Sequence, residues 1–202
     1  MALPLRPKLH PNVLGRQMLY SDAMQYANDK LSGKLVVILN ADIYLGSGVD
    51  QLLRHRHLLE PKNNGSPVVL SLTRHEHGTC RTTNNASNQP SNDWCGCPFT
   101  RPGLYFGSHD SFWFEPPLDN RAIERCQHVQ NRWGAEHKVI VELLRVGYNV
   151  ANPCLTIHTH HHHATDVHPW AKEAGGNDVL ADPTDHLPLP PTTLDQIVSD
   201  CT

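Results

Sequence analysis

The stretch Leu35-Val-Val-Ile-Leu-Asn-Ala-Asp-Ile-Tyr-Leu45 constrains this chain more than any other. Five consecutive aliphatic residues, Leu35 to Leu39, sit between Gly33 and Gly46 and run straight into Asn40, Ala41 and Asp42. The run has the length and β-branched content of a strand covered on both faces, which predicts a central strand of a parallel sheet. In open α/β sheets ligands bind beyond the carboxyl ends of the strands. Asp42 would project there, a position that suits a metal or phosphate site.

The periodicity on either side predicts an α/β layer fold. Residues 1–15 hold three prolines and read as an extended lead-in, and residues 16–165 as the folded domain. Apolar residues Met18, Leu19, Ala23, Tyr26, Ala27 and Leu31 recur at helical spacing over Gln17 to Leu31, with Ser21 a possible cap. Val49 to Leu59 reads as a second helix and Pro67 to Thr73 as a second strand. Residues 74–103 lose aliphatic character and predict a long loop or insertion. Leu104 to Phe114 is an aromatic strand, and Glu136 to Val146 is the strongest helix in the chain, stopped by Gly147. Tyr148 to Ile157 predicts a loop and a further strand leading into His158 to His163. Residues 166–202 are Pro-rich with one weak patch, Leu194 to Val198, and read as a flexible tail.

Charge excludes some partners. Seventeen Lys and Arg against twenty Asp and Glu give a formal charge of -3, which offers no footprint for nucleic acid. The sequence holds no run of 18 apolar residues and no apolar core of secretory length near Met1, so neither a membrane span nor a signal peptide is expected, and a cytoplasmic location is the default. Six scattered cysteines do not fix the compartment, and sequons at Asn64 and Asn85 are short enough to arise by chance. Fifteen histidines, clustered at 55–57, 75–77 and 158–163, are the outlier and make metal chemistry worth weighing.

Four motifs in order carry a resemblance. Asn40-Ala-Asp-Ile-Tyr-Leu45, Gly107-Ser-His-Asp-Ser-Phe-Trp-Phe-Glu-Pro-Pro117, Gly134 to Ile157 and the terminal His-x-His resemble glycosyltransferase-like proteins of the GT-A superfamily. The subgroup concerned has Asn-x-Asp-Ile-Tyr where many GT-A enzymes have Asp-x-Asp. The resemblance implies a Rossmann-like, mostly parallel sheet flanked by helices, here lacking its first βαβ unit. It implies metal-dependent transfer of a sugar from a nucleotide-diphosphate-sugar donor to an acceptor.

By that resemblance, Asp42 matches the carboxylate that binds Mn2+ or Mg2+, a hard cation that stabilises the charge developing on the leaving diphosphate. His161 and His163 align with the histidine ligands of the same ion, and residues two apart on a strand face one side. Asn40 would hydrogen-bond ribose, and Asp110 would hold hydroxyls of the donor sugar. Glu136, in Gly134-Ala-Glu-His137, matches the general base that takes the acceptor's proton. The plainer reading of Glu136 is a first-turn acid that complements the helix dipole. Trp113 and Phe112 read as core aromatics.

Two other readings stand beside this one. A catalytically inactive nucleotide-sugar binder, or a truncated fragment, of the same fold is suggested by Asn40 and by the short segment before the central strand. A His/Cys metal module would draw on His75-x-His77, Cys95-x-Cys97 and the histidine run, although Cys-x-Cys lacks the two-residue gap of a zinc knuckle. No glycine-rich phosphate or dinucleotide fingerprint occurs.

Overall fold

The computed structural model describes residues 15–60, 66–76, 108–130, 134–161 and 189–200. The elements run α1 (Tyr20–Lys30), β1 (Val36–Leu39), β2 (Ile43–Leu45), α2 (Val49–Arg54), a 3-10 turn (Arg56–Leu58), β3 (Val68–Thr73), β4 (His75–Glu76), β5 (His109–Phe114), α3 (Asn120–Arg125), α4 (Ala135–Arg145), β6 (Asn149–Ala151), β7 (Thr159–His161) and α5 (Leu194–Asp200). They form a four-stranded sheet in the order β1-β5-β3-β6 and a three-stranded sheet in the order β2-β7-β4.

The larger sheet is the middle layer of three. Side chains alternate across it, as the two-residue strand period requires. Val36, Ile38, Val69, Phe112, Phe114 and Val150 join Tyr20, Met24, Ile123, Val139, Ile140 and Leu143 under α1, α3 and α4. Val68, Leu70, Leu72 and Trp113 turn the other way, onto Leu52, Leu58, Ile157, Leu194 and Ile197. Both faces of β3 and β5 are therefore buried, which is why these strands are predominantly apolar. Trp113 lies in that core and donates its indole N–H to Ser111 Oγ at 3.0 Å.

The architecture is α/β, but the sheet is mixed rather than mostly parallel. β1 pairs antiparallel with β5, and β5 antiparallel with β3; only β3 and β6 are parallel neighbours in this sheet. Strand β1 is thus an edge strand of the described sheet, not its centre. The apolar run reports that both faces are covered; it carries no information on strand direction. β1, β3 and β6 still point the same way, with the aromatic strand β5 reversed between the first two.

Three other expectations change. Helix α1 begins at Tyr20, where Asp22 Oδ2 accepts from the Leu19 N–H at 2.8 Å, and Ser21 is not the cap. Its buried side is Tyr20, Met24 and Ala27, whereas Met18 and Tyr26 are exposed. The long loop expected over 74–103 starts with strand β4, paired parallel to β7, and its residues 77–103 lie outside the described residues. The flexible tail does not extend over 189–200. Thr193 and Gln196 form a reciprocal capping box, the Gln196 side chain accepting from the Thr193 N–H at 2.7 Å and Thr193 Oγ1 from the Gln196 N–H at 3.2 Å. The helix so started buries Leu194 and Ile197.

Cys126 is a buried free thiol that burial pushes up to about 12, and Cys154 is disulfide-bonded. Among the described residues no helix is long and apolar enough to cross a membrane.

Where β2 turns into α2, the backbone passes against the segment that precedes β7. Gly48 has φ +87°, and a Cβ built there would lie 1.9 Å from the Thr156 carbonyl oxygen. Glycine is required for the backbone conformation and for this close approach. Gly48→Ala is expected to destabilise the fold by about 2 kcal/mol or more, from left-handed strain plus a backbone clash. Urea unfolding that gives an unchanged midpoint in this variant would reject the close contact.

Candidate active site

Strand direction collects the polar residues at one edge. β1 and β3 end there and the reversed β5 begins there, so Asn40, Arg74 and the segment Ser108 to Asp110 are neighbours despite their separation in sequence. The β1–β5 ladder continues one step beyond the strand, Asn40 N donating to the Asp110 carbonyl at 3.1 Å. On the β3 side the register slips: Leu72 faces Ser111 and Thr73 faces His109, which leaves Asp110 as the extra residue of a bulge. Bulges re-aim side chains at the ends of strands. By parity with Ile38 and Phe112, Asn40 and Asp110 both look toward α1 and α4.

Asp110 is 2% exposed, and its carboxylate gathers the edge. Oδ1 accepts from Ser108 Oγ at 2.7 Å, from Asn40 Nδ2 at 2.8 Å and from Arg74 Nη1 at 3.3 Å, and Oδ2 accepts from the same Arg74 nitrogen at 3.2 Å. These four contacts use most of what a carboxylate can accept. Asn40 and Asp110, expected on ribose and on sugar hydroxyls, are hydrogen-bonded to each other here.

Glu136 reaches this cluster from the first turn of α4, a helix entered through Gly134 at φ 77°. It is 9% exposed, and its carboxyl is pushed up from 4.5 to about 7. Burial is the main cause and the Asp110 charge the second; hydrogen bonds from its own backbone N–H and from the Asn40 side chain, together with the Arg74 charge, act in the opposite direction. Tyr20, buried beneath, is held well above the usual phenol range first by burial and then by the charges of Glu136 and Asp110. His137 and His109 form an edge-to-face pair with centroids 5.6 Å apart. A first-turn acid that merely complemented the helix dipole would sit in solvent. Glu136 instead occupies the interior, ready to exchange a proton near neutrality.

Asp42 lies two residues past Asn40, exposed on the turn between β1 and β2, where Ile43 N donates to the Asn40 carbonyl at 3.1 Å. The next residue, Ile43, is the register partner of His161. The turn thus brings the backbone of Asp42 beside the end of β7, while His163 lies outside the described residues. Among the described residues no three His, Cys, Asp or Glu side chains form a metal-binding group.

The histidine-rich pattern has a second outcome. His75 stacks near His158 and His160, with centroids at 4.3 and 5.6 Å, and its Nε2 is 3.1 Å from the Cys154 carbonyl. Burial holds His75 below the ordinary imidazole value; the contact to the carbonyl opposes this, and the two neighbouring imidazoles add to it. Tyr44 stacks on His160 at 5.1 Å.

Arg74, Ser108 and Tyr20 belong to the cluster and were not among the expected site residues. Arg74 was detectable only as a charge placed directly after a buried strand. Tyr20 lay one helical step off the face expected to be buried. Searches against protein-family models, curated proteins and solved structures found no match for the chain.

The Glu136 ionisation has a consequence for stability. Because the folded value is raised, the folded chain keeps a proton between pH 4.5 and about 7 that the unfolded chain releases. The contribution is neutral below pH 4.5 and becomes a cost of roughly 3 kcal/mol as pH rises through 7. Glu136→Gln should therefore gain stability relative to the parent chain at pH 8, a gain that disappears below pH 4.5. Thermal melts across that range check this, and a difference that does not vary with pH excludes a buried, shifted carboxyl.

Proposed function

We propose that this chain is a metal-dependent glycosyltransferase-like protein of the GT-A type, transferring a sugar from a nucleotide-diphosphate-sugar to an acceptor hydroxyl. The single observation that carries the reading is Glu136: a buried carboxyl near pH 7, at the carboxyl ends of β1 and β3, on the sheet edge that also bears the Asp42 turn. A general base works best when its proton affinity is close to the working pH.

In this reading Glu136 accepts the proton of the acceptor hydroxyl as its oxygen attacks the anomeric carbon and the bond to the diphosphate breaks. Asp42, with His161 and His163, would hold Mn2+ or Mg2+, whose charge offsets that developing on the departing diphosphate. Asn40 and Asp110 support the base rather than touching the sugar. That commitment favours a second reading, a nucleotide-sugar binder without turnover, because the two polar groups expected to meet the donor are occupied.

Calorimetry with UDP-sugars and GDP-sugars, with and without manganese, tests the donor. Asp42→Asn should weaken metal-dependent binding at least about tenfold, the loss of one charged oxygen ligand. Glu136→Gln should keep the donor Kd within about twofold while lowering turnover by about 100-fold or more. Donor binding without transfer or hydrolysis in the parent chain selects the second reading, and binding of neither sugar nucleotide removes both.

A further inference from the structure

Arg74 has no part in the reading above, yet its guanidinium is the cation acting on both carboxyls. It closes β3 at the sheet edge, and its side chain is 23% exposed against 1% for the Asp110 side chain it grips. The contact is made through one nitrogen shared between the two oxygens, at 3.2 and 3.3 Å. Asp110 Oδ1 in turn anchors the Asn40 amide, and the same amide hydrogen-bonds Glu136. An amide nitrogen carries two hydrogens, enough for one on each carboxylate. An aspartate at position 40 has none, and would set a third carboxylate between the other two.

We propose that Arg74 is a positioning residue which, through the Asp110 carboxylate and the bridging Asn40 amide, controls the protonation of Glu136. The guanidinium neutralises Asp110, which would otherwise repel the Glu136 anion, and the pinned amide presents a donor to it. Among the described residues, the groups facing Glu136 are Asp110 on β5, Arg74 after β3, Asn40 after β1 and the Tyr20 phenol on α1. His137 follows it on α4, and His109 precedes Asp110. Within that set Arg74 is the only residue that is always positively charged.

This deepens the reading of Glu136 as a base, yet its test needs neither donor nor acceptor. In the full chain labelled with glutamate-δ-13C, the Glu136 carboxyl signal is assigned by its loss in Glu136→Gln and titrated against pH. The parent chain should titrate near 7. Arg74→Gln keeps a hydrogen-bond donor without the charge and should lower the ionisation constant of Glu136 about tenfold, while Arg74→Lys restores it to within about threefold. Asn40→Ser, which leaves the ion pair in place, should move the titration in the same direction by a smaller factor, and decides the matter if Arg74→Gln fails to fold. An unchanged Glu136 titration in a folded Arg74→Gln chain, or in Asn40→Ser, overturns the proposal. If transfer is found, the acid limb of its pH profile should move up with the titration while the donor KM stays put. A moved titration with no transfer under any donor removes the catalytic reading and leaves the proposal standing. Transfer with an unmoved titration does the reverse.

Discussion

The buried carboxylate of Asp110 is the interaction on which this edge of the molecule depends. A charged group with 2% exposure persists in an interior only if it is paired and its lone pairs are satisfied. Here the partners come from three places in the chain: Asn40 after β1, Arg74 after β3 and Ser108 before β5. The carboxylate therefore ties together three chain segments at the bulge. Removing one partner of such a pair leaves a buried charge uncompensated, typically at 3 to 5 kcal/mol. Burial first, and the Asp110 charge second, push the Glu136 carboxyl up to about 7 beside it.

What surrounds that cluster is a sheet buried on both sides. Phe112 and Phe114 on one face of β5, and Trp113 on the other, each fall within 1% exposure. They fix β5 between β1 and β3, and so decide that Asp110 meets Asn40 on one flank and Arg74 on the other. Helix α4 lies across the first face with Val139, Ile140 and Leu143 inward, which sets the height at which its first turn delivers Glu136. Tyr20, from α1, closes the floor and excludes water from the two carboxyls. Packing and electrostatics at this site are thus one arrangement: the aromatic layer supplies the low-dielectric surroundings that make the hydrogen bonds count.

Much of this was legible in local pattern. The helix expected from Glu136 to Val146 is α4 to within a residue at each end, because Val139, Ile140, Leu143 and the stop at Gly147 repeat at helical spacing. The strands around Val69 and Phe112 follow from continuous apolar runs. Asn40, Asp110 and Glu136, each expected at a ligand site, lie in one cluster. Other features were present in the pattern and overlooked. Thr193-x-x-Gln196 is a capping box that announces α5, and Asp119, which accepts from the Arg121 N–H at 2.7 Å, starts α3. On α1 the repeat fits two faces equally well, and only contact with Phe112, 5.7 Å away centroid to centroid, selects the one bearing Tyr20.

By itself, then, the sequence determined where the main strands and helices form and which residues are apolar enough to be interior. Those properties depend on residues a few positions apart, and local spacing encodes them. Tertiary structure alone decided that β5 runs antiparallel between β1 and β3, that β1 lies at the edge of the described sheet, and that Arg74 meets an aspartate 36 positions away. It also decided that Asn40 and Asp110 face each other rather than solvent, and that Glu136 exchanges its proton near 7 rather than near 4.5. Strand direction, pairing and proton affinity arise from groups distant in sequence and close in space. No window along the chain contains them.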